Sequence, residues 1–232
     1  MNQKKLIFIF FVIVIIAILH HHSVNNKLVA ADYEYIPKYL NNINPVSELS
    51  SYQEQLDFIS SVQLTSFDLV PNAGTIAKNQ KREPKELFYA KVADCSARSR
   101  LLEKILRYSG FKTRHVAIYV KENTTSSIKP ILTPNNRSHA LTEVLTKRGW
   151  LVVDSNSPWL SIDSQNNPVS IKKIQQSINN SVTIEWKINP VDDVYSMSFV
   201  ILYGVYSRHG RFYPPYNFIP DINYSEFIQN VY

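Results

Sequence analysis

The chain has 232 residues, 44% of them hydrophobic, 19% charged and 12% aromatic, with a formal net charge of +6. That composition excludes wholesale disorder, collagen-like repeats and coiled coil, and the length suits one domain with appendages. The single cysteine, Cys95, excludes an intramolecular disulfide and a cysteine-cluster metal site; five glycines, in neither GxGxxG nor GxxxxGKS/T spacing, make a phosphate-cradling loop unexpected. No cofactor and no metal is therefore expected.

Lys4 and Lys5 form a short basic stretch ahead of an unbroken apolar run from Leu6 to Leu19. As a helix this run spans ~21 Å at ~1.5 Å per residue, short of the ~30 Å hydrocarbon core of a bilayer. The length favours a secretory signal, and Val29-Ala30-Ala31 offers small residues for cleavage before Asp32. An uncleaved anchor, tilted or in a thinned bilayer, is the alternative. Residues 1–31 thus read as signal peptide or membrane anchor, with the rest facing outward under the positive-inside rule. The expected setting is the cell envelope, the periplasm or the exterior. His20-His21-His22 reads as a wet interfacial flank rather than a metal site, because no acidic or cysteine ligand surrounds it in the sequence. Lys4, Lys5 and Lys27 lie in this region with no acidic residue, so the remainder carries a net charge of only +3. With no basic stripe, nucleic acid is not an expected partner.

Asp32 to Pro45, Tyr- and Asn-rich with Pro37 and Pro45, reads as a tether up to residue 46. Ser47 is placed to cap a helix with apolar positions Leu49, Tyr52, Leu56 and Ile59. Pro71 to Lys85 reads as a loop. A strong helix is predicted from Cys95 to Ser109: Asp94 caps it, Ala97, Leu101, Leu102, Ile105 and Leu106 form one stripe, and Gly110 stands where a left-handed residue closes a helix. Thr113 to Val120 reads as a strand with Arg114, Val116, Ile118 and Val120 on one face. Ser138 to Thr146 and Trp150 to Asp154 form a hairpin around Lys147-Arg148-Gly149, and the polar stretch Lys121 to Arg137 is long enough for a functional loop. A short helix at Ile171 to Ile178, strands at Val182 to Lys187 and Ser198 to Tyr206, and an aromatic, Pro-rich wrap from Arg208 complete the chain. Helices ahead of an antiparallel sheet argue an α+β fold.

The chemistry gathers at Cys95, His139 and Asp154. Cys95 occupies the first turn of the best-defined helix, where unpaired N–H groups and the positive helix end stabilise a thiolate. A lone cysteine is also commonly a small buried hydrophobe, and position alone leaves both readings open. A thiolate needs a base partner, and beyond the first 31 residues only His115, His139 and His209 remain. His139 opens a strand, and Asp154 ends the return strand. A turn centred between Thr146 and Lys147 sets the two opposite each other. Gly149 moves the turn later, to an offset of about three residues, or ~10 Å, unless twist or a bulge recovers it. Asp154 in that arrangement holds the imidazole in one tautomer.

Asp94-Cys95-Ser96-Ala97, Leu101-Leu102, Leu106-Arg107 and Gly110-Phe111-Lys112-Thr113-Arg114 resemble the core of the transglutaminase-like superfamily. So do His139-Ala140 with Glu143-Val144, Gly149-Trp150 and Val153-Asp154, in the same Cys, His, Asp order. The resemblance covers Leu87 to Trp159. It implies a papain-like α+β fold, with the cysteine helix packed on an antiparallel sheet that carries His139 and Asp154. The implied chemistry is attack of a Cys95 thiolate on an amide or ester carbonyl through a thioester. Hydrolysis is implied over crosslinking, because acidic calcium-site clusters are missing. The implied substrate is a protein or peptide of the cell envelope, with the membrane as a further partner through residues 6–19 if they are retained.

The pattern also departs from the family. Ala93 replaces its glycine, Leu141 its tryptophan, and Ser155-Asn156 its Pro-Thr. Tyr89, six residues before Cys95, stands where related thiol enzymes place an oxyanion donor, although packing is its simpler role. Arg114 matches a family arginine and reads as a structural ion pair. His115 reads as a structural histidine, His209 as a turn residue able to meet an anionic group, and Trp159 as a residue beside the cleft. The alternative function is a non-catalytic envelope module that binds peptide or polysaccharide, with Phe212, Tyr213, Tyr216 and Phe218 as stacking residues. A metal-dependent hydrolase has no HExxH to support it.

Overall fold

Helices come before strands in the computed structural model, which describes residues 3–46, 50–71, 81–122, 124–206 and 220–231. α1 (Gln3–His21) buries none of its residues and has a mean hydropathy of 2.2, apolar enough for a signal sequence or a membrane span. α2 (Ala30–Tyr39) occupies the stretch expected to be a tether. Asp32 accepts the Val29 N–H at 2.9 Å, and Tyr35, Ile36 and Tyr39 are buried. Pro37 removes one helical hydrogen bond only two residues before the helix ends, a small loss beside the burial of three large side chains.

α3 (Tyr52–Leu69) begins later than expected. Ser51 caps it, because Glu54 reaches back to the Ser51 N–H while Ser51 Oγ accepts the Glu54 N–H. Ser47 and Leu49 lie outside the described residues, as does most of the loop after Pro71. α4 (Pro84–Ala90) leads into α5 (Cys95–Tyr108), where Asp94 accepts the Ala97 N–H at 2.8 Å. Gly110, at φ +89°, lets the Phe111 N–H return to the Leu106 carbonyl and close α5.

The sheet is antiparallel in the order β3-β2-β1-β4, with β1 (Lys112–Val120), β2 (Ser138–Thr146), β3 (Gly149–Val153) and β4 (Phe199–Tyr203). The loop between β1 and β2 contains the short α6 (Lys129–Leu132). α7 (Ile171–Asn179) forms where expected. The expected strand at Val182 to Lys187 makes only the Asp163–Trp186 bridge, because its neighbour is an irregular loop along which pairing does not propagate. β5 (Val205–Tyr206) pairs with β6 (Asp221–Ile222), followed by α8 (Tyr224–Phe227). The end of the expected irregular wrap is therefore regular structure, and its aromatic stretch, with Phe212, Tyr213, Tyr216 and Phe218, lies outside the described residues.

Both faces of the sheet are covered. On one, α2, α3, α4 and α5 enclose Val144, Leu151 and Val153; on the other, Val116, Ile118 and Leu141 pack against Trp159, Ile171, Ile174 and Tyr195. α5 lies between the sheet and these helices, so even its polar residues Arg98, Arg100, Glu103 and Lys104 are buried. Lys104 Nζ bonds Asp32 and Glu83, each at 2.7 Å; Arg100 bonds Glu83, Glu103 and Asn26; Arg107 bonds Glu103 and Glu226.

His115 sits beneath this network, its Nδ1 2.9 Å from Ser99 Oγ and its ring stacked on Tyr206 at 4.2 Å. Burial pushes it down to about 4, against the Glu103 charge, so it is buried neutral. An unfolded chain protonates the same ring near ~6.5. Stability from neutral His115 is thus whole above that value and lost as pH falls through ~6.5 toward 4, about 2 kcal/mol by pH 5. Urea unfolding of the full chain in detergent should show this loss between pH 7 and pH 5, and His115→Gln should reduce it; an unchanged pH slope in the variant would refute the assignment.

Candidate active site

The β2–β3 register pairs Thr146 with Gly149 and Thr142 with Val153, which leaves Lys147 and Arg148 as the turn. Asp154 therefore falls opposite Leu141, two residues from His139, an offset of ~7 Å on the same face. The remaining gap closes because the chain leaves the strand at Asp154 and turns back on itself, with the Asp154 N–H donating to the Trp159 carbonyl at 3.1 Å. His139 Nε2 meets Asp154 Oδ2 at 3.0 Å, and the Cys95 thiol lies close enough to the imidazole to favour its protonated form. Cys95, half-buried at the first turn of α5, thus meets a buried imidazole backed by a fully buried carboxylate.

Asp154 is held by four donors. Oδ1 accepts the backbone N–H groups of Asn156 and Ser157 at 2.6 and 2.7 Å. Oδ2 accepts His139 Nε2 and the hydroxyl of Tyr195. Burial pushes the carboxyl up, but the His139 hydrogen bond and charge, with Tyr195 and the backbone donors, hold it down at about 2. Burial pulls the imidazole down, but hydrogen bonds to Asp154 and Cys95 and the charges of both lift it to about 10. The pair is therefore a standing imidazolium–carboxylate across the neutral range. Tyr195 is pushed far up by burial and by the Asp154 charge, so it remains a neutral donor.

The turn after Asp154 is itself clamped. Gln63 of α3 points its amide at the carbonyls of Asp154, Ser157 and Trp159, at 2.7, 3.1 and 3.0 Å. Arg98, one turn beyond Cys95, donates to Asn156 Oδ1 at 2.8 Å, and the Asn156 amide lies 3.4 Å from His139 Nδ1. Gln63, Arg98 and Tyr195 were missed in the sequence because each acts through a fold-dependent contact, and Asn156 entered there only as part of Ser155-Asn156 in place of the family's Pro-Thr.

The other candidates divide. Trp159 is buried behind the site, tilted against Tyr195 at 4.6 Å, with its indole N–H on the Ile188 carbonyl. Arg114 bonds Glu143 at 2.8 Å and Gln229 at 2.9 Å and lies over Trp150, a structural role. Tyr89 is not brought to the cysteine. It sits 66% exposed on α4, its hydroxyl 2.7 Å from that of Tyr35 within an aromatic cluster, because the seven-residue α4 carries it to the α2 side. His209 lies outside the described residues. Among the described residues, no group of three or more His, Cys, Asp or Glu side chains is placed to hold a metal ion.

Residues 50–155 match the model of the transglutaminase-like superfamily, so the chain contains a transglutaminase-like domain. The chain matches no curated protein and no solved structure.

Side-chain NMR of the imidazole tests the electrostatics without a substrate. His139 should remain doubly protonated at pH 8 in the native chain. In Asp154→Asn, burial acts with less opposition, and the ring should lose its proton at least two units lower. A ring that titrates near ~6.5 in both proteins would overturn the ion pair.

Proposed function

We propose that this chain, through its transglutaminase-like domain, is a cysteine-dependent acyl enzyme in which Cys95 is the nucleophile, His139 the proton carrier and Asp154 the group that orients and charges the imidazole. The observation that carries the reading is the single imidazole shared between the Cys95 thiol and the buried Asp154 carboxylate.

The reaction follows from that contact. An imidazolium beside the sulfur favours the thiolate. The thiolate adds to the carbonyl carbon of an amide, and the electron pair moves to the carbonyl oxygen, whose developing charge is held by N–H groups at the start of α5 in this reading. Collapse breaks the carbon–nitrogen bond, and His139 delivers its proton to the leaving amine. A thioester and a neutral imidazole remain. His139 then takes a proton from water as it attacks the thioester, which releases the acid and restores the thiolate–imidazolium pair. Hydrolysis is preferred over amine transfer on the sequence reading of a small domain without acidic calcium-site clusters. The substrate class is a protein or peptide outside the cytoplasmic membrane, reached because α1 exports or anchors the domain.

Iodoacetamide labelling tests the nucleophile. Alkylation of Cys95 at pH 7 should fall at least ~10-fold in His139→Ala. An unchanged rate in the variant would sink the reading. Hydrolysis and transfer separate in a second assay: with a glutamine peptide and a labelled primary amine, release of free acid supports the hydrolase, and amine incorporation replaces it with a crosslinking enzyme.

A further inference from the structure

Between α1 and the domain there is no linker. α1 ends at His21, and His22 already bonds Asp221 at 3.0 Å. Ser23 pairs with Ile222: the Ile222 N–H donates to the His22 carbonyl at 2.8 Å and the Val24 N–H to the Ile222 carbonyl at 2.9 Å. Val24 is buried, the Asn25 carbonyl and Asn26 Oδ1 accept from Arg100, and Asp32 both caps α2 and receives Lys104. Cleavage at Val29-Ala30-Ala31 would cut through folded structure. It would remove two acceptors from the buried Arg100 and the strand partner of Ile222.

The C-terminal segment held by that bridge turns its large apolar side chains outward. Asn223 and Glu226 are buried, and Glu226 accepts from Arg107, the His115 N–H and Tyr206. Gln229 receives Arg114, and Asn230, itself exposed, pairs with the Tyr203 backbone. Tyr224 is 44%, Phe227 37%, Ile228 55% and Val231 75% exposed, with Ser225 also exposed among them. A helical segment on a wet surface shows the reverse pattern. The segment cannot turn over easily, because Gly204, at φ +70°, has room for no Cβ against the Phe227 nitrogen and the Asn223 carbonyl. Its outward face also begins at α1: the Tyr224 hydroxyl donates to the Leu19 carbonyl in the last turn of α1, at 3.4 Å. At ~1.5 Å per helical residue, the Ile228 backbone lies ~6 Å along the segment from that of Tyr224.

We propose that α1 is retained as a membrane anchor and that the face formed by Tyr224, Phe227, Ile228 and Val231 rests in the interfacial zone of the same bilayer. A lipid surface is the partner this face fits, because an apolar helix too exposed to be part of the core delivers it to that surface, and aromatic and aliphatic side chains suit the boundary between headgroups and acyl chains. The domain is then held against the membrane in one orientation, and its substrates are membrane-proximal. The inference rests on the reading that α1 lies in a membrane.

The test uses the full chain with Cys95→Ser, carrying an environment-sensitive fluorophore on either Ile228→Cys or Val191→Cys, an exposed position outside the segment. The chain is reconstituted into phosphatidylcholine vesicles with a minority of phosphatidylglycerol. Intact mass should include residues 1–31, and the chain should float with the vesicles. Nitroxide lipids labelled near the headgroup should quench the label at 228 at least ~2-fold more than the label at 191. A chain that does not float sinks the membrane reading of α1. A chain that floats with both labels quenched alike, or crosslinks to a second copy through position 228, overturns the docking face. A mature chain beginning after Ala31 overturns retention.

Discussion

The structure depends on the burial of α5 on every side. A helix whose apolar stripe meets a sheet usually turns its charges to water; here Arg100, Glu103 and Lys104 are covered as well. Buried charges are tolerated only with partners, and the partners come from distant stretches: Asn26 and Asp32, Glu83, and Tyr206, while Arg107 at the helix end bonds Glu226. Removing Glu83 takes a carboxylate from both Arg100 and Lys104. The network therefore ties both ends to the middle, as a disulfide does in other proteins, although the chain has only one cysteine.

The same helix sets the chemistry. Its N-terminus brings Cys95 to the end of the sheet where β2 begins, so the thiol and His139 meet where α5, β1 and β2 converge. The orientation of the imidazole is decided one step further back, at Asp154. Two backbone N–H groups, one phenol and the imidazole use both carboxylate oxygens, and the low value of the carboxyl and the high value of the imidazole are two expressions of that arrangement. Gln63 and Tyr195 belong to elements on opposite faces of the sheet, α3 and the 3-10 turn at Asp193–Ser196. The site is thus supported from both hydrophobic layers at once.

The α1 end of the molecule obeys the same logic of partners. Glu226, Gln229 and Asn230 of the last described segment are engaged by Arg107, Arg114 and the Tyr203 backbone, while Tyr224, Phe227, Ile228 and Val231 are left on the outside beside Ser225. Large apolar side chains in water are unfavourable, and the proposed bilayer contact is what relieves them.

Local pattern was enough for α5, α7 and the β2–β3 hairpin, because capping, period and strand alternation are properties of neighbours in the chain. It failed where long-range contacts outweigh local preference. Asp32 to Tyr39 looks like a linker when Pro37 and the asparagines are read alone, and is a helix because Tyr35, Ile36 and Tyr39 find a buried surface. His22 looks like a solvated flank because its carboxylate partner lies 199 residues away. Tyr89 has the right spacing from Cys95, but α4 carries it to Tyr35. What the amino-acid order determined by itself was the inventory of reactive groups, an apolar N-terminal helix and an α+β class. Which hydroxyl and which amides fix Asp154, and which charges lie inside, was decided by tertiary structure, because a hydrogen bond is specified by position in space and the sequence specifies position only within a few residues.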